Sequence, residues 1–123
     1  MQPVLLGIGL EKGKEMRLSM IAMSLGIRFR PVRESEYGLP LGELAGDPVS
    51  AGKQQNLPVD GEMIVMAHMT EQQTDALLHA IRTGGMPPIP LKAVLTPTNR
   101  SWSCGRLYQE LKKEQFFFGG AKK

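Results

Sequence analysis

The chain has 123 residues, 41% hydrophobic and 22% charged, the make-up of one ordinary globular domain with enough length to bury an independent core. The net charge is +3, and residues 61–123 hold all of the excess, which is too mild to define a nucleic-acid surface. A single cysteine excludes an intramolecular disulfide, no run approaches the ~18 apolar residues of a membrane span, and Met1–Leu10 lacks the basic start of a signal peptide, so a cytoplasmic location is expected.

Val4–Leu10 is a short apolar run whose length fits a buried strand. Lys14–Leu25 has helical spacing, with Met16, Met20 and Met23 on one line and Leu18, Ile21, Ala22 and Leu25 on the adjacent one. Eight methionines against four phenylalanines predict a core filled by flexible side chains. Gly26 suits the left-handed position after the helix, followed by apolar Ile27. Ile27–Arg33 alternates, with Ile27 and Phe29 inward and Arg28 and Arg30 outward, and Pro31 confines this strand to a sheet edge. Leu39–Leu44 has room for one helical turn. Gly46–Gly61, punctuated by Pro48, Gly52 and Pro58, reads as a surface loop joining two halves. Glu62–Met69 is continuously apolar and so reads as a central strand. Thr70 and Gln73 form a capping box for a helix that buries Leu77, Leu78 and Ile81 and ends at Gly84-Gly85.

Leu91–Thr96 reads as a strand, with Leu91, Ala93 and Leu95 on one side and Lys92, Val94 and Thr96 on the other. Pro97 stops it. Thr98, Asn99, Ser101 and Ser103 are all good N-cap residues, so a helix starts in this window, with Trp102, Leu107, Tyr108 and Leu111 directed to the core. The series Lys92, Ala93, Val94, Leu95, Thr96, then Thr98, Asn99 and Trp102, then Leu107, Glu110, Leu111 and Glu114 resembles a small bacterial family known as domain of unknown function 3783. The resemblance covers about 25 residues and implies no activity. Cys104-Gly105 departs from it, which puts the regularity of the first helical turn in question.

The element order β-α-β, loop, β-α-β-α predicts a single α/β (α+β) domain over 1–123. Its first half is 1–45, its connecting loop 46–61, its second half 62–115, and residues 119–123 are expected to form a disordered tail. Two β-α-β units can give a ferredoxin-like antiparallel sheet, which is the preferred expectation, or a small parallel sheet with helices on both faces.

Little in the chain points to chemistry. Gly7-Ile-Gly9-Leu-Glu-Lys-Gly13 has the spacing G-x-G-x-x-x-G, not that of a dinucleotide fingerprint, and Glu11 would oppose a phosphate. His68, His79 and Cys104 are too scattered for a metal site or a thiol–base pair, so neither metal nor cofactor is expected. Arg28, Arg30 and Arg33 alternate with an inward Phe29, without the exposed aromatics that nucleic-acid sheets use. The best candidate is the strand-to-helix loop Thr96–Trp102, where Thr96, Thr98, Asn99 and Arg100 could hold a carboxylate or phosphate, against plain helix capping. Trp102, Leu107 and Leu111 are assigned to structure. The expected role is a non-catalytic binding or regulatory module acting through a protein partner or self-association, with Phe116–Phe118 as one adhesive segment; the alternative is a small enzyme or anion binder using Thr96–Trp102.

Overall fold

A computed structural model describes residues 2–47 and 57–119, with side chains described through residue 114. The elements are β1 (Val4–Ile8), α1 (Lys12–Ser24), β2 (Arg28–Val32), a 3-10 turn at Glu34–Glu36, α2 (Leu41–Leu44), β3 (Met63–Ala67), α3 (Glu71–Thr83), β4 (Leu91–Val94) and α4 (Cys104–Gly119). Most of the expected connecting loop, the side chains of Phe116–Phe118 and residues 120–123 of the expected tail lie outside the described residues.

The four strands form one sheet in the order β2-β1-β3-β4. β1 and β2 are parallel, β3 and β4 are parallel, and the central pair β1–β3 is antiparallel, with Leu5 opposite Met66. The α/β class is as expected, but the sheet is mixed. It differs from the antiparallel ferredoxin-like arrangement because each strand following a helix returns beside the strand that preceded that helix. Each crossover therefore closes its own parallel pair. It also differs from an all-parallel sheet, since the two units meet head to tail. A two-fold axis normal to the sheet between β1 and β3 would generate this order.

Every residue of β1 and β3 is buried. That burial on both faces explains their unbroken apolar sequence, because helices cover the sheet on either side. Leu5, Ile64 and Met66 pack under α1 and α3 with Leu18, Ala22, Leu77 and Ile81. Leu6, Ile8, Met63 and Val65 pack on the opposite face with Leu41, Leu44, Leu107 and Tyr108 of α2 and α4. The edge strand β4 shows the expected alternation, with Leu91 buried and Lys92 and Val94 exposed.

Local signals do what their chemistry requires. Gly26 adopts φ 72°, and the Ile27 N–H donates to the Ala22 carbonyl at 2.8 Å, closing α1 with a Schellman motif. The Thr70 hydroxyl accepts from the Gln73 N–H at 3.0 Å while the Gln73 side chain accepts from the Thr70 N–H at 2.9 Å. Gly105 does not disturb α4. It lets the chain at Leu57 lie against the helix, for a Cβ there would sit 2.5 Å from the Leu57 carbonyl oxygen.

The methionines of α1 depart from the expected core filling. Met16, Met20 and Met23 are 68%, 65% and 75% exposed, while Leu18 and Ala22 face the sheet. Lys14 is buried instead, its ammonium paired with Glu62 and donating to the Pro88 carbonyl at 3.1 Å.

Candidate functional site

The loop after β4 folds through its own side chains. Asn99 is buried. Its Oδ1 accepts from the Thr96 N–H at 2.8 Å and its Nδ2 donates to the Val94 carbonyl at 3.1 Å. The Thr96 hydroxyl in turn accepts from the Asn99 N–H at 3.1 Å. Asn99 thus closes the turn at the end of β4 and does not cap α4. Ser103 caps α4, its hydroxyl accepting from the Arg106 N–H at 3.1 Å. Trp102 precedes the helix and is half-buried, with the Arg106 guanidinium 4.3 Å over its ring. Leu107 is buried and Leu111 packs against the same core, as assigned from sequence.

We expect Asn99→Ala to cost about 1–3 kcal/mol, because it empties a buried position and removes the partners of the Thr96 N–H and the Val94 carbonyl together. Thr98 is exposed. Thr98→Ala should therefore stay within about 0.5 kcal/mol. Urea unfolding of the two variants checks the contrast, and equal costs would contradict this division of roles.

The backbone carries the loop onto α2. The N–H groups of Leu41 and Gly42, at the start of that helix, donate to the carbonyls of Trp102 and Arg100, each at 2.8 Å. α2 then ends through Gly46, at φ 96°, into Asp47, whose N–H returns to the Gly42 carbonyl at 2.8 Å. These contacts aim the Asp47 carboxylate at the carboxyl ends of β3 and β4.

His68, the residue after β3, meets it there. Its Nε2 lies 2.9 Å from the Asp47 carboxylate, which is 4% exposed, and Arg100 Nη2 lies 3.9 Å from the same group. His68 holds φ 58°, the one positive φ at a non-glycine among the described residues. Such a backbone is uncommon away from glycine and persists where the surroundings over-determine it. Asp47, His68, Leu95, Thr96, Pro97 and Arg100 together line a hollow of about 330 Å³.

Of the residues expected at the site, Thr96 and Arg100 line this hollow, Asn99 shapes its rim from behind, and Thr98 is not among its lining. Asp47 and His68 are the members that sequence reading missed. A carboxylate only accepts, so Nε2 carries the proton toward Asp47, which makes Nδ1 of the neutral ring an acceptor. The cavity lies outside the carboxyl ends of parallel strands, where open α/β sheets bind ligands.

Cys104 is fully buried, and burial pushes its thiol up to about 12, so it offers no thiolate here. Among the described residues, no group of three or more His, Cys, Asp or Glu side chains is placed to hold a metal ion, and no helix is long and apolar enough to cross a membrane.

The hollow draws on both halves of the chain, and comparison with known proteins reaches only one of them. Residues 62–118 match the family described as Domain of unknown function (DUF3783). No curated protein and no solved structure matches the chain. The DUF3783 segment contains β3, α3, β4 and the described part of α4, and it supplies His68, Thr96 and Arg100. Asp47 comes from outside that segment, so the carboxylate that orients His68 is contributed by the preceding half.

Proposed function

We propose that this is a non-catalytic, cytoplasmic binding module with two working surfaces: the Asp47–His68–Arg100 hollow for a small anion, and the α1–α3 face for protein contacts. The observation that carries the first is His68, held in a left-handed backbone with its ring bonded to a buried carboxylate. Asp47 is a fixed negative charge in the floor. A carboxylate or phosphate therefore sits away from it, on the guanidinium of Arg100 and the hydroxyl of Thr96, both of which can donate to it. The neighbouring Thr96 and the apolar Leu95 and Pro97 fit a ligand with a short carbon skeleton behind its anionic group.

Thermal unfolding with inorganic phosphate, sulfate, acetate and a nucleotide tests this. An anion present at one hundred times its dissociation constant should stabilise the wild type by about 2.7 kcal/mol. Arg100→Ala should lose that response while remaining folded, and His68→Asn, tolerant of a positive φ, should weaken it by leaving the Asp47 carboxylate to repel the anion. A wild type that none of the panel stabilises would overturn the anion reading.

A separate observation supports protein contacts. Three large apolar side chains of α1 are 65–75% exposed in a row, beside a groove of about 460 Å³ between α1 and α3. Solvent-facing methionines in line are unfavourable unless something covers them, and their flexible thioethers suit an adaptable contact.

A further inference from the structure

Resting on the protein-contact reading, we propose that the partner of the α1–α3 face is a second copy of this chain, packed antiparallel across it. The first support is spacing. Gly13, Met16, Met20 and Met23 fall at intervals of three, four and three residues, the a/d seam of a helix that packs against another helix. All four are exposed. Laid antiparallel on itself about a two-fold axis, the seam sets Met16 against Met20 of the other copy. Gly13, which has nothing within 4 Å of its Cβ position, then falls opposite Met23. A bulky end and an empty end of one helix are complementary only when the second helix is reversed.

Charge gives the second support. α1 and α3 run in opposite directions, since each lies antiparallel to its own strand and β1 opposes β3. Arg17, in the first half of α1, accordingly reaches the end of α3 and donates to the Gly84 carbonyl at 3.0 Å. One end of the face therefore carries exposed Lys12, Arg17 and Arg82, which outnumber Glu11 and the half-buried Glu15 there, and the other carries exposed Glu71 and Asp75. An antiparallel two-fold lays the basic end of one copy on the acidic end of the other, whereas a parallel pairing opposes like charges. A different partner would need its own matching pattern; the chain already has one.

Size sets the strength. Two helices of 13 residues present a face about 20 Å long and 20 Å wide, on the order of 400 Å², below the ~800 Å² per partner of a stable complex. The dimer is thus weak and reversible, forming at high protein concentration.

Sedimentation equilibrium across a concentration series tests this. The full chain should reach a reversible dimer. Met20→Glu, at an exposed position, should weaken it more than about tenfold without lowering the melting temperature. Arg82→Glu and Glu71→Arg should each weaken it, and the double swap should recover most of the loss. A chain that stays monomeric overturns the proposal, as does a dimer that survives Met20→Glu but is lost on truncation after Gln115. A photo-crosslinker at position 20 separates self-pairing from the broader reading. Self-crosslinks support the proposal, crosslinks only to another protein overturn it and leave the protein-contact reading standing, and no crosslink at any concentration sinks both.

Discussion

Glu62→Ala should cost about 3–5 kcal/mol, a large share of the ~5–15 kcal/mol that holds a domain of this size together. Glu62 stands just before β3 and serves two groups of the neighbouring crossover. One carboxylate oxygen pairs with the Lys14 ammonium, and the other accepts from the Glu11 N–H at 3.2 Å. The Lys14 side chain is 9% exposed and that of Glu62 15%, so water compensates little for either charge. Among the described residues, removing the carboxylate leaves Lys14 the Pro88 carbonyl as its hydrogen-bond partner. It also removes an anion from the N-terminus of α1, whose cap residue Glu11 makes no side-chain cap bond.

The cost comes from the charge left behind, so deleting both partners should be milder. Lys14→Met combined with Glu62→Leu should recover most of the loss, because a buried pair can be replaced by apolar side chains of similar volume. Urea unfolding of the wild type, the single variant and the double variant checks this. A single variant within about 1 kcal/mol of wild type would show that Lys14 finds water when unpaired.

Sequence reading reached the parts of this fold that local rules decide. Unbroken apolar runs marked β1 and β3, the capping box marked α3, and Pro31 kept β2 at an edge. It did not reach strand order, because ferredoxin-like and nested β-α-β arrangements have the same sequence of elements and differ only in which strand each crossover returns to. Helical periodicity in α1 showed two adjacent apolar lines but not which one meets the sheet. Packing chose Leu18 and Ala22 and left the methionines in solvent. The burial of Lys14 had no local signal, because its partner Glu62 is 48 residues away.

The site shows the same division. Asn99 was legible as a capping candidate after Pro97, although it closes the turn with Thr96 and leaves the cap of α4 to Ser103. Arg100 was legible as a charge beside Asn99. His68 had one signal, a polar residue closing an apolar strand, and Asp47 had none, since only the docking of α2 on the Arg100–Trp102 backbone brings it there. Residues joined by tertiary contact leave no spacing to read.

The glycines of the segment after β1 give the second large effect and settle what G-x-G-x-x-x-G is for. Gly9 has φ 69°, and a Cβ there would lie 2.3 Å from the Gly61 carbonyl oxygen. Gly9→Ala should therefore cost roughly 2–5 kcal/mol, the sum of a left-handed backbone for an L-residue and a forced displacement of the chain entering β3. Gly13, in the first turn of α1, is open to solvent on the side where a Cβ would project. Gly13→Ala should raise stability by about 0.5–1 kcal/mol, because alanine has less backbone freedom to lose. One substitution at two glycines four residues apart thus has opposite signs. Had this loop been built to cradle a phosphate, the α1 N-terminus would be left for the ligand, whereas the Glu62 carboxylate already accepts from the Glu11 N–H there. Gly9 is glycine so that the chains after β1 and before β3 can touch. Urea midpoints for the two variants decide the matter, and a Gly9→Ala protein as stable as wild type would mean that the chain at Gly61 moves aside at no cost.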